Sequence, residues 1–127
     1  TYQGTWEEAR AWEAAHAFCA PPIGVRPVKL GKGNLPEEAS FFSVEPAGLV
    51  LSAVKVAEEG DGIIVRLYNP TGRTLSGSIK TLWKVSQAEL VSLSEDSQGS
   101  FAIPSPRTVP VTVRSGEIKT VKLSLVT

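Results

Sequence analysis

The 127-residue sequence predicts an all-β fold, an antiparallel β-sandwich with one N-terminal helix. Three observations predict it. From about residue 41 onward, apolar and polar residues alternate in short runs, the period of a half-buried strand. Turn signals built on Gly, Pro, Asn and Asp separate these runs about every ten residues, the spacing of an antiparallel sandwich. Helical periodicity is confined to one early segment.

That segment opens on Thr5-Trp-Glu-Glu8, a capping-box pattern in which the Thr hydroxyl accepts from the N3 amide and Glu8 reaches back. Ala9 to Phe18 is rich in Ala and Glu, good helix formers. Pro21-Pro22 ends it, because a residue preceding proline is pushed out of the α region. A helical lead-in over 5–20 is expected, followed by strands over 23–127, the whole forming one domain. Ile23 to Leu30 alternates but contains Pro27, which suits an edge strand or an extended connection. Gly31 to Pro36 reads as a loop.

Phe41 to Val44 is a short strand ended by Pro46. Leu49 to Val56 is apolar on both sides at its start, which predicts an internal strand of a sandwich or one covered on both faces. Glu58-Glu-Gly-Asp-Gly62 is a hairpin turn, with glycine available for the positive φ that tight hairpins demand. Ile63 to Asn69 runs back as a strand. Its alternation sends Ile63, Val65 and Leu67 inward, and Ile64, Arg66 and Tyr68 to the opposite face. Pro70-Thr-Gly72 turns the chain, with positive φ expected at Gly72. Leu75 to Lys84 follows as one strand, and Leu90 to Leu93 as a short one. Ser94 to Pro106 is polar and proline-bearing, the expected long surface loop. Val109, Val111 and Val113 alternate with Pro110, Thr112 and Arg114. Ser115-Gly116 then turns the chain into a last strand, Ile118 to Val126.

Composition narrows function mostly by exclusion. Thirteen basic residues balance thirteen acidic ones, so no net field recruits nucleic acid or an anionic membrane. No apolar run approaches the ~20 residues of a membrane-spanning helix. Thr1-Tyr-Gln-Gly4 carries no basic stretch ahead of an apolar one, so no secretory leader is expected and the cytoplasm is the expected compartment. A chain that opens on Thr and contains no Met reads as a domain excised from a longer protein.

The catalytic inventory is thin. His16 and Cys19 share a helix face, but no second His or Cys completes a zinc set, and nothing orients His16 to activate the thiol. Glu58, Glu59 and Asp61 crowd one turn, where acids are solvated and bond their own backbone. No catalytic and no metal-binding residue is expected, and no cofactor. Glu45 lies in an apolar strand and calls for a cation, for which Arg66 is the candidate. Trp6, Trp12, Trp83, Tyr2 and Tyr68 could in principle form a sugar-stacking platform, which leaves an autonomous carbohydrate-binding module as the alternative function.

Several stretches resemble the C-terminal β-domain of glycoside hydrolase family 38, the α-mannosidases. They are Pro36-Glu-Glu-Ala-Ser-Phe41, Ser43-Val-Glu-Pro46, Leu49-Val-Leu-Ser-Ala-Val54 and, most specific, Val65-Arg-Leu-Tyr-Asn-Pro-Thr-Gly72. Val111-Thr-Val-Arg114 and Gly116-Glu-Ile-Lys-Thr120 resemble the family's closing hairpin. Ala15-His-Ala-Phe-Cys-Ala-Pro-Pro22 resembles the preceding segment, with Cys19 where Asn is common. The likeness is weak between Gly72 and Pro106. It implies a zinc-dependent, retaining α-mannosidase as the parent, whose nucleophile and zinc ligands belong to an N-terminal catalytic domain that no position here matches. The implied partners are the parent's other domains and, through them, a mannose-containing glycan. Arg66, Tyr68 and Asn69, polar residues inside the most specific stretch, are the candidate interdomain or cleft-rim contacts. The competing reading pairs Arg66 with Glu45 and gives Asn69 only the opening of the turn.

Overall fold

The computed structural model describes residues 3–26, 28, 31–33 and 35–126. Its backbone forms two compact units, Thr1–Ala39 and Ser40–Thr127.

In the first unit the capping box forms as the sequence predicts. The Thr5 amide donates to Glu8 Oε2 at 2.8 Å, and the Glu8 amide donates to Thr5 Oγ1 at 3.1 Å. It caps one isolated turn, however, and not the helix. Arg10 adopts the left-handed region (φ 49°, ψ 45°), and helix α1 starts only after it, at Ala11–Cys19. A left-handed residue interrupts the i→i−4 ladder, and the Ala11 amide instead reaches Trp6 O at 3.0 Å. The rings of Trp6 and Trp12 meet edge to face across this break, 5.8 Å apart. The helix is therefore shorter than the 5–20 expected. Ile23 to Arg26 and Val28 form no strand. Pro27, Lys29 and Leu30 of that expected strand, and Asn34 of the loop, lie outside the described residues.

The second unit holds eight strands: β1 (Phe42–Glu45), β2 (Val50–Val56), β3 (Ile63–Tyr68), β4 (Leu75–Thr81), β5 (Lys84–Val91), β6 (Ser97–Ser100), β7 (Thr108–Val113) and β8 (Ile118–Val126). All pairings are antiparallel. They make a three-stranded sheet, β1-β4-β7, and a five-stranded one, β2-β3-β8-β5-β6. The inward rows of both sheets share one core, with Val65, Leu67, Ile79, Val109, Val113, Val121 and Leu123 wholly buried. This is the expected sandwich. The alternations of β3, β7 and β8 each place the predicted residues inward.

Four expectations change. The run 75–84 is not one strand: β4 ends at Thr81, Leu82 and Trp83 bend, and β5 enters the other sheet, running on to Val91 so that the short strand expected at 90–93 is only its end. Nothing in an alternating pattern marks a change of sheet, because the period is the same on both sides. Within the expected loop 94–106, Ser97–Ser100 pairs with β5 as edge strand β6. All four of its residues are exposed, so backbone bonds alone recruit it and no apolar residue announces it. β2 is an edge strand rather than an internal one, since it pairs with β3 alone. Its inward Val54 and Val56 remain 43% and 69% exposed. Gly72 is not at positive φ, which in this unit occurs at Gly60, Gly62, Gly99, Gly116 and Glu95.

Proline and glycine fall where the fold needs them. Pro110 sits in β7, an edge strand that pairs with β4 alone, where a missing amide costs no ladder bond. Gly77 lies in β4 directly beneath the chain leaving β1. A Cβ there would stand 1.8 Å from the Glu45 carbonyl oxygen. Gly77→Ala is therefore expected to cost about 3 kcal/mol through overpacking, whereas Gly72→Ala, with open space around it, should stay within about 0.5 kcal/mol. Urea denaturation of the two variants checks this; similar losses would disprove the close approach.

Candidate functional site

The most specific sequence stretch, 65–72, leaves β3, an internal strand of the five-stranded sheet. Asn69, at its end, is fully buried. Its side-chain amide donates to Arg73 O (2.8 Å) and Val113 O (3.0 Å), and its carbonyl oxygen accepts from the Thr71 amide (3.0 Å) and Thr71 Oγ1 (2.7 Å). Its backbone joins the β7–β8 hairpin, donating to Glu117 O at 3.1 Å and accepting from Gly116 N at 2.9 Å. Asn69 opens the turn, as the competing reading holds, but it does more. It ties β3 and β8 of one sheet to β7 and the entry to β4 of the other. It offers no surface to a partner. The signal in sequence was an Asn before Pro-Thr-Gly; its burial was not legible there.

Arg66 and Tyr68 project from the opposite, outward face of β3. Arg66 does not pair with Glu45, which instead bonds Lys80 at 2.7 Å across β1 and β4, on the other sheet. The reason is topological: β1 and β3 belong to different sheets, and Arg66 faces away from the core between them. Its Nε donates to Thr120 Oγ1 at 3.3 Å and its Nη2 to Leu93 O at 3.4 Å. Tyr68 is 37% exposed and stands opposite Ile118, which is 52% exposed. An open groove of about 450 Å³ runs beside Ile118 and Leu93.

Ile64, on the same outward face, is wholly buried, contrary to the open face expected. Ile64 forms a small second cluster with Ala57 and Val91. An ionic latch ties the segment after Val91 to β2 and the turn beyond it. Glu95 bonds Lys55 Nζ at 2.7 Å and the Glu58 amide at 2.8 Å, while Lys55 also bonds Glu58 at 2.9 Å. Lys122, paired opposite Ile64, caps Glu59 O at 2.9 Å. The Lys55 ammonium and the Glu58 amide hold the Glu95 carboxyl below its ordinary 4.5, and Glu95 with Glu58 holds Lys55 above its ordinary 10.5.

His16 and Cys19 end α1, and both are exposed. Among the described residues, no three His, Cys, Asp or Glu side chains converge as a metal site. The acids Glu58, Glu59, Glu95 and Asp96 line one shallow polar pocket with Lys122; Lys55 holds Glu58 and Glu95, and the Ser92 and Ser94 hydroxyls donate to Asp96. Trp83 stacks on Phe41 with centroids 5.3 Å apart and planes 8° from parallel, so one face of each ring is taken. Tyr68 is the only exposed aromatic on the outer face of the five-stranded sheet among the described residues.

Residues 48–121, more than half the chain, match the family model described as "Glycosyl hydrolases family 38 C-terminal beta sandwich domain". The match runs through 73–106, where the resemblance read from sequence was weak. A search of curated proteins returned no match.

Two outcomes follow from this geometry. Asn69→Ala leaves the buried Thr71 amide without its acceptor and takes the side-chain donor from Val113 O, while Arg73 O keeps its bond from Thr71 Oγ1. It is expected to cost about 3 kcal/mol, measured by urea denaturation, and a loss below about 1 kcal/mol would show that water replaces the amide. The latch sets a pH dependence. Because the Glu95 pKa is depressed on folding, its contribution is present above the ordinary 4.5 and is lost as pH falls through the lower, folded value. Lys55, raised, contributes below 10.5 and loses that contribution as pH rises beyond it. Glu95→Gln should therefore melt below the unsubstituted chain at neutral pH, and the two should converge once pH has fallen through the lowered, folded value. A gap that persists there would give Glu95 a non-ionic role.

Proposed function

This chain belongs to the glycosyl hydrolase family 38 C-terminal β-sandwich domain family, and on that premise we propose that it is a non-catalytic support module of a zinc-dependent α-mannosidase. In this reading the parent hydrolyses terminal α-mannosides in a separate catalytic domain, which holds the zinc, and the sandwich packs against that domain. One observation carries the supporting role. The five-stranded sheet overhangs the three-stranded one, so the inward face of β2 is left open at Val54 and Val56, beside an apolar hollow with Ile63 and Leu125 at its wall. Incompletely covered apolar surface of this kind marks a protein–protein contact. The alternative of an autonomous carbohydrate-binding module draws no comparable support, since Phe41 and Trp83 stack on each other and Tyr68 stands alone.

The zinc-activated chemistry is assigned to the parent because His16 is the single histidine and Cys19 the single cysteine of the chain. The test compares the purified chain with the intact parent on an aryl α-mannoside. The intact protein should release the aryl group and lose that activity to a zinc chelator. The chain alone, with a β-dominated circular dichroism spectrum, should release none. Hydrolysis by the chain that survives Cys19→Ala and Glu59→Gln would overturn the division of labour.

A further inference from the structure

We propose that Arg66 anchors the interdomain contact by receiving a carboxylate from another domain of the same polypeptide, within an apolar rim formed by Tyr68, Leu93 and Ile118. The inference rests on the support-module reading and names the chemistry of the contact.

Arg66 lies in β3, paired on both sides by β2 and β8, so its backbone is held inside the five-stranded sheet and not at its edge. Arg66 is half-buried, and among the described residues its guanidinium makes two long bonds to neutral acceptors, Thr120 Oγ1 and, on its exposed side, Leu93 O. A guanidinium carries five N–H donors in a rigid fork, so most of its donor capacity is unspent. The acids nearby are committed elsewhere. Glu58 and Glu95 hold Lys55, Glu89 accepts from Gln87 and Ser97, and Glu117 holds Lys119 and the Arg114 amide. Among the described residues, no carboxylate lies within ion-pair distance of Arg66. A partly desolvated cation without a counter-ion is the arrangement that a bidentate carboxylate completes.

The surroundings select the occupant. Tyr68 follows Arg66 on the outward face of β3, Ile118 stands opposite Tyr68 on β8, and Leu93 O accepts from the guanidinium. At 37%, 52% and 63% exposed they give Arg66 and Tyr68 an apolar border, the composition of an interface hot spot. A polyanion such as nucleic acid or an anionic bilayer would also meet Glu58, Glu59, Glu95 and Asp96 on the same side, which like charge disfavours. A second copy joined by a twofold axis through this patch would set Arg66 against Arg66. One carboxylate on an otherwise apolar segment meets neither obstacle.

The test uses the intact parent protein with p-benzoylphenylalanine in place of Ile118, irradiated and mapped by mass spectrometry. The expected product is an intramolecular crosslink to a peptide outside residues 1–127 that contains Asp or Glu. Its yield should fall about tenfold or more in Arg66→Glu and be partly retained in Arg66→Lys, as loss of a buried charge pair predicts. Tyr68→Ala, at an exposed site where the fold tolerates truncation, should lower the yield as well and guards against a misfolded Arg66→Glu. Crosslinks between two copies, crosslinks confined to residues 1–127, no crosslink, or a yield indifferent to Arg66→Glu would each overturn the proposal. A crosslink of the expected kind in a parent that cleaves no α-mannoside would leave this contact standing and remove the enzyme assignment, so the two readings fail separately.

Discussion

The buried side chain of Asn69 is the constraint on which the sandwich depends. Four side-chain bonds and two backbone bonds meet at one residue, and their partners lie in the β3–β4 turn, in β7 and in the β7–β8 hairpin. A two-sheet fold must return the chain from one layer to the other without leaving backbone groups bare in the core. Asn69 and Thr71 meet that requirement, and Ser115 adds a bond to Thr71 O at 2.9 Å from the hairpin side. The register of both sheets is thereby fixed at a common point, and the valine rows of β7 and β8 face the core from there outward.

Unequal sheets explain the remaining surface. Five strands against three leave inward residues of β2 without a counterpart, and Val54 and Val56 are open for that reason rather than through poor packing. On the outer side the problem is opposite. Ile64 points away from the shared core and is buried in a cluster of its own with Ala57 and Val91. Glu95 takes a left-handed conformation (φ 70°) to reach Lys55 and the Glu58 amide. A strained backbone at one residue is thus offset by an ionic latch and a buried isoleucine.

What was legible in the sequence divides along physical lines. The β7 and β8 alternations, the β2–β3 hairpin and the capping box were readable because each is a local rule acting on neighbouring residues. β6 was not, since Ser97-Gln-Gly-Ser100 pairs through its backbone and carries no pattern. The passage between sheets at Leu82 and Trp83 was not, because strand periodicity is blind to which sheet a strand joins. The Glu45–Lys80 pair displaced the expected Glu45–Arg66 pair for the same reason: partner choice across strands is set by topology. Of the three candidate contact residues, Arg66 and Tyr68 lie on the open face and Asn69 in the interior, a split that strand alternation foreshadowed for the first two but could not extend past the strand's end.

Arg66 and Asn69 stand three residues apart on the same chain segment, one turned outward and one locked inside. That arrangement bears on how a support module works. A contact residue on a loop would lose conformational freedom on docking, and part of the interaction would be spent on ordering it. Arg66 instead projects from an internal strand whose end Asn69 pins to both sheets, with Thr120 and Leu93 already orienting the guanidinium. Most of the ordering is therefore complete before any partner arrives. A face prepared in this way transmits the position of its own sheet to whatever docks on it, which is the property a non-catalytic domain needs if it is to hold a neighbouring domain in place.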